Sequence, residues 1–145
     1  MICFLGCSKT KQKVPCKAEN MYQGNLFKKS LLYAKSLPNI TAIYILSAKY
    51  GVVELDTVIE PYDLYLSSLS KKELLEWNSK VYKQLLQLDI DFKSETALFL
   101  CGKTYYSGLI KLFKSYKCPL AHKGNGKQLQ YLNSLLTTKK NKKLI

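Results

Sequence analysis

Apolar residues recur along the chain with two different periods, and these periods predict an alternation of strands and helices. Four short apolar runs have the length and the polar boundaries of buried strands; they are Ile2–Gly6, Ala42–Leu46, Ala97–Cys101 and a weaker run at Cys118–Leu120. Between them, apolar positions return every three or four residues, as on one face of a helix. This order predicts an α/β fold with three layers: a mostly parallel four-stranded sheet with helices on both faces.

Four amphipathic stretches predict the helices. The first runs from Leu26 to Leu37 and should end at Pro38, which cannot continue a helix. Ser70 and Glu73 have the spacing of a capping box and predict the start of the second. The remaining apolar faces are Leu74, Trp77, Val81, Leu85 and Leu88 for the second helix, Tyr105, Leu109, Leu112, Phe113 and Tyr116 for the third, and Leu129, Leu132, Leu135 and Leu136 for the fourth.

Length and composition favour one compact domain. The 145 residues, 47% of them hydrophobic, are enough for a single core, which we expect over residues 1–138 with a basic tail at 139–145. No apolar run approaches the roughly 20 residues of a membrane span, and the first residues lack the basic lead of a secretory signal. The five cysteines form no disulfide framework. We therefore expect a cytoplasmic protein without membrane contact.

The charge is strongly positive and unevenly distributed. All 23 basic residues are lysine, there are 10 acids, and the net charge is +13. Residues 54–95 hold nine of the acids, whereas residues 96–145 hold ten lysines and no acid. Such segregation predicts a basic surface that attracts nucleic acid or another phosphate-bearing partner. The alternative is a solvated lysine surface without a partner.

Small residues and lysines follow each predicted strand. Because right-handed crossovers bring the carboxyl ends of parallel strands to one edge, where ligands bind in open α/β sheets, these loops should converge. Backbone N–H groups, lysines and hydroxyls at that edge would hold phosphate. The predicted ligand-binding residues are Cys7, Ser8, Lys9, Lys11, Ser47, Lys49, Tyr50, Tyr62, Gly102, Lys103, Gly124, Gly126 and Lys127.

The spacing of the motifs argues against several better-known sites. Gly102-Lys103-Thr104 ends like a P-loop, but Leu98 stands where that motif needs its first glycine. Gly124-Asn125-Gly126 lacks the third glycine of a dinucleotide fingerprint. His122 is the only histidine, and the cysteine spacings match no compact zinc module. We expect no cofactor and no metal.

An acidic segment follows the second predicted strand. Asp56, Glu60 and Asp63 lie on the predicted ligand edge, where a carboxylate can act as a general base or stabilise a cationic transition state. These three are the candidate catalytic residues. Structural use, as partners of lysines or as helix caps, is the alternative for each of them.

Several motifs together resemble a family of small bacterial and phage proteins of undefined function. The resemblance rests on Cys7–Lys11, Phe27–Ser30, Ile45–Gly51, Ile59–Asp63 and Gly124–Leu132. That family is distantly similar to peroxide-stress DNA-binding proteins. The Cys-Ser-x-x-Lys opening also resembles domains of archaeosine-forming enzymes that are related to uracil-DNA-glycosylase folds.

The resemblance implies a nucleobase pocket at the strand ends and work on an N-glycosidic bond. The acid after strand one and the His-Pro-Ser that glycosylases carry are absent, so no catalytic residue is transferred from them. Our first hypothesis is a nucleotide- or nucleic-acid-processing enzyme in which Tyr50 or Tyr62 stacks on the base and Glu60 or Asp63 assists cleavage. The rival hypothesis is a non-catalytic binder of nucleic acid or of a nucleotide signal, and a third is an inert lysine-rich scaffold. The sequence leaves the oligomeric state open.

Overall fold

A five-stranded sheet, four of whose strands are parallel, forms the centre of the molecule. The computed structural model describes residues 1–143, and their side chains except those of residues 125 and 138–143. The predicted basic tail at 139–145 therefore falls outside the residues whose side chains are described. The strands of the main sheet are β1 (Ile2–Gly6), β3 (Ala42–Ser47), β4 (Gly51–Glu54), β6 (Thr96–Leu100) and β7 (Ser115–Lys117). A small antiparallel pair joins β2 (Cys16–Lys17) to β5 (Val58–Ile59).

The strand order is β4-β3-β1-β6-β7, with β1 in the middle. β1 pairs in parallel with β3 (Ile2 opposite Ala42) and with β6 (Ile2 opposite Ala97), and β6 pairs in parallel with β7. β4 folds back antiparallel on β3 through a tight turn in which Gly51 has a φ of 77°. Such a φ strongly favours glycine, so this turn depends on Gly51.

The helices pack around this sheet and are α1 (Ala18–Met21), α2 (Asn25–Ser36), α3 (Lys71–Gln87), α4 (Lys103–Tyr106) and α5 (Asn125–Lys143). The capping box that opens α3 is confirmed: the backbone N–H of Glu73 donates to Ser70 Oγ (3.2 Å), and the Glu73 carboxylate accepts from the Ser70 N–H (3.0 Å). The predicted face of α3 is also confirmed, since Trp77, Val81 and Leu85 are buried.

Aromatic packing fixes the centre of the core. Phe4 in β1 stacks on Phe99 in β6 with their ring centroids 5.1 Å apart, and on Tyr44 in β3 at 5.9 Å. Phe113 contacts Phe4 edge-on at 5.8 Å. Such offset and edge-to-face contacts add to the free energy gained from burying the rings. The three central strands are thus held together by side chains as well as by their backbone ladder.

The predicted α/β class is confirmed, and three details are corrected. The sheet has five strands, because the β3–β4 hairpin adds an antiparallel strand. The fourth predicted strand lies at Ser115–Lys117 instead of Cys118–Leu120. The third predicted helix is wrong: α4 ends at Tyr106, and a single 3₁₀ turn at Ile110–Leu112 follows before β7. Gly108 lies between these two turns, where a residue of low helix propensity favours a break.

Candidate functional site

A cavity of about 610 Å³ lies at the carboxyl ends of β1 and β6. Its wall is formed by the residues after β1, the residues after β6, the first turns of α2, the segment Tyr65–Ser67 and the start of α5. The volume is in the range of pockets for small organic ligands. The molecule therefore offers room for a ligand at the edge of the sheet where one was predicted.

The topology explains why the cavity forms between these two strands. From β1 the chain passes to β3 on one side of it and later to β6 on the other side. The crossovers on the two sides diverge at this point and leave a crevice beyond the strand ends. β1 and β6 are therefore the pair between which a ligand crevice is expected.

Ser8 ties the loop after β1 to the start of α2. Its hydroxyl donates to the Thr10 carbonyl (2.8 Å) and accepts from the backbone N–H of Gly24 (3.2 Å). A Cβ at Gly24 would lie 2.9 Å from the Ser8 Cβ, closer than real side chains approach. The glycine is thus needed for the two segments to meet, and together they form one part of the cavity wall.

The N-terminus of α2 opens on the cavity. Gly24, Asn25, Leu26 and Phe27 all line it, and no side chain caps this helix. The first N–H groups of a helix have no partner within the helix and attract anions, an effect that the helix dipole strengthens. Lys9, exposed at the same wall, adds a full positive charge. This part of the cavity is suited to a phosphate.

Aromatic rings form another part of the wall. The Tyr105 hydroxyl donates to the Cys7 carbonyl (3.0 Å) and lies 3.4 Å from the Cys7 sulfur, and its burial raises the pKa of Tyr105 well above the ordinary value. Tyr65 lies under the Lys9 ammonium, which is 5.0 Å from the ring centroid. A flat apolar group can pack against such rings.

Two glycines leave space in the wall. A Cβ built on Gly102 or on Gly126 would meet no heavy atom within 4 Å. Gly102 follows β6, and Gly126 is the second residue of α5 rather than part of a loop, which corrects the predicted Gly124–Gly126 loop. A Cβ at either of these two lining positions would therefore meet no steric obstacle.

The sequence-predicted ligand residues divide into two groups. Those that line the cavity are Cys7, Ser8, Lys9, Gly102 and Gly126, whereas Lys11, Ser47, Lys49, Tyr50, Tyr62, Lys103, Gly124 and Lys127 lie outside its lining. The loops after β1 and β6 and the start of α5 therefore meet. The loop after β3 does not take part, contrary to the predicted convergence of all four.

Ser47, Tyr50 and Tyr62 belong to a separate hydrogen-bonded group, here called the tyrosine cluster: Tyr22, Ser47, Tyr50 and Tyr62. The Tyr62 hydroxyl is 2.8 Å from both the Tyr22 hydroxyl and Ser47 Oγ, which also accepts from the Tyr50 N–H at 3.0 Å. Burial raises the pKa of Tyr62 well above its ordinary value. These polar groups bond to one another, so the cluster holds β3 to the segment around Tyr62.

Lys11 has a structural position. Its ammonium donates to the carbonyls of Lys9 (3.2 Å) and Leu64 (3.3 Å) and lies 4.4 Å from the Tyr62 ring centroid. Burial lowers the pKa of Lys11, while Cys7 and Asp63 act in the opposite direction. Lys11 thus fastens the loop after β1 to the segment around Tyr62.

The three candidate catalytic acids are exposed and lie outside the cavity lining. The backbone carbonyl of Glu60 accepts from the Tyr50 hydroxyl (3.3 Å). Asp63 is near enough to Lys11 to act on its pKa. Asp56 follows β4 in the turn that leads to β5. Glu60 and Asp63 thus lie near residues of the tyrosine cluster and Lys11, and none of the three acids is part of the cavity lining.

Of the remaining predicted lysines, Lys49 lies 5.2 Å from the Tyr50 ring centroid, and its carbonyl accepts from Lys80 (2.7 Å). Lys103 and Lys127 are exposed on α4 and α5. The five cysteines are free thiols. Among the described residues, no group of His, Cys, Asp or Glu is placed to hold a metal ion.

Sequence reasoning missed the contribution of α2. Gly24 directly precedes an amphipathic stretch, which is a signal for a helix start, yet only the loops after the strands were considered. Ser30 was also missed: it lines the cavity and its hydroxyl is buried without a hydrogen-bond partner in the described structure. Gln128, 7% exposed in α5, lines the cavity as well.

Comparison with known proteins gives a family without a defined activity. The model of a family of unknown function, DUF6884, matches residues 2–134, so the chain belongs to that family. No curated protein and no solved structure matches the chain. Within residues 1–143, no helix has both the length and the apolar character needed to cross a membrane.

Proposed function

With membership of a family of unknown function as the premise, we propose that this protein binds a nucleotide, free or as one unit of a nucleic acid, in the cavity between β1 and β6. The observation that carries the proposal is the composition of the wall. The uncapped N-terminus of α2 and Lys9 share one cavity with the rings of Tyr65 and Tyr105. A nucleotide combines the two matching groups, a phosphate and a flat base.

The phosphate would lie at the start of α2. Backbone N–H groups of a helix's first turn bind phosphate without any arginine, which this chain lacks. Lys9 would contribute a point charge, and the Ser8 hydroxyl would keep the loop after β1 in contact with Gly24. The many other lysines would raise the local concentration of polyanions by long-range attraction.

The base would pack between apolar and aromatic groups of the wall. Rings of tyrosine stack on any base, so this wall would accept a base through its flat face. The resemblance to uracil-DNA-glycosylase-like domains implies a base at the same strand ends. Such ligands occur inside cells, in keeping with the cytoplasmic location expected for a chain with five free cysteines.

Between the two functions considered from the sequence, the geometry supports binding over cleavage of an N-glycosidic bond. Cleavage by the predicted mechanism needs a carboxylate beside the sugar, to activate water or to stabilise positive charge. Among the described residues, no aspartate or glutamate lines the cavity. We therefore assign Glu60, Asp63 and Asp56 no catalytic role.

The test is ligand binding by a variant with a larger side chain at a position of the cavity lining. Gly102→Leu should place its side chain in the open space at the wall, and the backbone of Gly102 (φ −77°, ψ 168°) accepts any residue. The matched control is Gly124→Leu, because Gly124 also precedes a helix, also has open space at its Cβ, and lies outside the lining.

We expect nucleoside monophosphates to raise the Tm of the wild-type protein and of Gly124→Leu, because a ligand that binds only the folded state stabilises it. The ligand-free Gly102→Leu protein should have the same Tm as the ligand-free wild type. Its affinity for nucleoside monophosphates, measured by calorimetry, should be at least about tenfold lower. Failure of AMP, GMP, CMP, UMP and a short single-stranded DNA to bind the wild-type protein would overturn the proposal. Equal binding by both leucine variants would place the ligand elsewhere.

A further inference from the structure

Ser30 is a buried hydroxyl in the cavity wall that the chain itself leaves unpaired. It lies in the second turn of α2, is 1% exposed and lines the cavity, and its Oγ has no hydrogen-bond partner in the part of the chain that the structure describes. Buried polar groups in folded proteins nearly always have a partner. A hydroxyl left without one at the wall of a cavity points to a partner that the ligand supplies.

The same helix shows what an ordinary serine does. Ser36 donates its hydroxyl to the carbonyl of Tyr33 at 2.6 Å and so needs nothing from outside the chain. Alanine at position 30 would fit the helix better than serine, since it has the higher helix propensity and no polar group to bury. We therefore expect Ser30 to make the ligand-free protein less stable than alanine would, and a contact made only when the ligand is bound would explain its presence.

The position of Ser30 along α2 separates it from the phosphate. Ser30 lies five positions after the first residue of the helix, Asn25, which is about 7.5 Å along the helix axis. A phosphate held by the N–H groups of the first turn would thus be a full turn away from the Ser30 hydroxyl. In a nucleotide, the sugar separates the phosphate from the base, so one ligand can reach both places.

We propose that Ser30 hydrogen-bonds the edge of the base of a nucleotide whose phosphate lies at the N-terminus of α2. This inference rests on the proposed function and narrows it: the ligand class is a nucleotide with its base inserted along α2, rather than inorganic phosphate or a sugar phosphate. A hydroxyl both donates and accepts, so it pairs with a carbonyl, a ring nitrogen or an amino group.

The test compares Ser30→Ala with Ser36→Ala, the same substitution on the same helix but outside the cavity. The ligands are the nucleoside monophosphate that the wild-type protein binds most tightly and ribose 5-phosphate, which lacks the base. Affinity for ribose 5-phosphate is measured by displacement of that nucleotide, so that weak binding is still quantified. The Tm of each ligand-free variant is recorded in parallel.

We expect Ser30→Ala to weaken nucleotide binding about three- to tenfold, the effect of one hydrogen bond to a ligand. Its affinity for ribose 5-phosphate should stay at the wild-type value, and the Tm of the ligand-free protein should not fall. Ser36→Ala should leave both affinities unchanged.

Each other outcome overturns the inference in its own way. If Ser30→Ala loses affinity equally for the nucleotide and for ribose 5-phosphate, then Ser30 contacts the sugar phosphate and not the base. Unchanged nucleotide binding by Ser30→Ala, with a wild-type protein that binds, would remove the role of Ser30 and leave the proposed function standing. A wild-type protein that binds none of the nucleotides would overturn the proposed function and this inference with it.

Discussion

The tyrosine cluster and the cavity differ in how their polar groups are satisfied, although both lie near the loop after β1. In the tyrosine cluster, the Tyr62 hydroxyl bonds to Tyr22 and Ser47, each at 2.8 Å. In the cavity, the first turn of α2 has no side-chain cap and Ser30 has no partner among the described residues. The polar groups of the tyrosine cluster thus find their hydrogen-bond partners within the chain, whereas these groups of the cavity wall are left without one among the described residues.

This difference in hydrogen bonding distinguishes residues of the same type that lie at similar distances from the predicted strands and look equivalent in the sequence. Residues of both regions were predicted to bind a ligand: Ser8 and Lys9 of the cavity, and Ser47, Tyr50 and Tyr62 of the tyrosine cluster. Paired groups contribute to the stability of the fold, because leaving a buried partner unpaired is costly. Unpaired groups beside open volume are the ones available to a ligand. The predictions below test whether stability and binding divide along this line.

The largest effect is expected at Tyr62. Tyr62→Ala should lower the free energy of unfolding by about 3–4 kcal/mol, because it removes a packed ring and leaves two hydroxyls short of a partner. Tyr62→Phe keeps the ring and should lose about 2 kcal/mol. Urea unfolding measures both. Neither variant should change nucleotide affinity at a temperature where it is folded.

Tyr82, exposed on α3, provides the control for these variants. Tyr82→Phe should stay within about 0.5 kcal/mol of the wild-type stability. A Tyr62→Phe protein that is as stable as Tyr82→Phe would show that the cluster does not hold the fold.

The next effect is a loss of stability in alkali. Burial raises the pKa of Tyr22 from its ordinary value of 10.0 to about 12. The unfolded chain then loses the proton of the Tyr22 hydroxyl at a lower pH than the folded protein does. The contribution of the protonated hydroxyl to the free energy of unfolding is therefore fully present below pH 10 and is lost as the pH rises toward 12. The loss from Tyr22 should be about 2–3 kcal/mol.

Urea unfolding at pH 8, 10 and 11 measures the slope with which the free energy of unfolding falls as the pH rises. Tyr22→Phe should make it shallower without removing it, because burial also raises the pKa of Cys3 to about 12. An unchanged slope in Tyr22→Phe would mean that the buried hydroxyl does not govern the alkaline transition.

The smallest but most discriminating effect is at two neighbouring lysines. Lys11→Met should lower the free energy of unfolding by about 1–2 kcal/mol, since two carbonyls lose a charged donor, and it should leave nucleotide affinity unchanged. Lys9→Met should change stability by less than about 1 kcal/mol and weaken nucleotide binding about three- to tenfold.

Calorimetry gives the nucleotide affinity of each variant, and urea unfolding gives its free energy of unfolding. The salt dependence of binding should also become less steep in Lys9→Met alone, because one contact with phosphate is removed. If the two methionine variants have the same stability and the same nucleotide affinity, the claim that Lys11 serves stability and Lys9 serves binding is wrong.

The three central parallel strands, β1, β3 and β6, could be predicted because each is an uninterrupted apolar run between polar boundaries, whereas β7, which is short and exposed, was placed at the wrong residues. β1 has the predicted bounds, β3 extends one residue beyond its predicted end, and β6 begins and ends one residue earlier than predicted. β4 was missed because the residues that precede it, Ser47, Lys49 and Tyr50, were interpreted as a ligand loop instead of as the turn of a hairpin. Leu109 and Phe113 are buried as expected for a core-facing helix, yet Gly108 breaks the helix between α4 and the 3₁₀ turn. Periodicity reports burial there and does not distinguish a helix from two turns.

The site could be predicted where one strand end determines it, as with Cys7, Ser8, Lys9 and Gly102. It could not be predicted where pairing partners decide the role. Tyr62 and Ser47 are fifteen residues apart and become a bonded pair only when the segment around Tyr62 folds over β3. Ser30 lies within a regular amphipathic helix, and only the coordinates show that its hydroxyl is unpaired.

The two outer strands of the sheet restrict how copies of this protein can associate. β7 has three residues, all exposed, and ends at Lys117; β4 has four residues. A second chain adding to either edge would find a backbone ladder of three or four residues, and at β7 it would bring like charges together. Continuous sheet extension, the usual route from native edges to fibrous aggregates, is therefore disfavoured at both edges of this sheet.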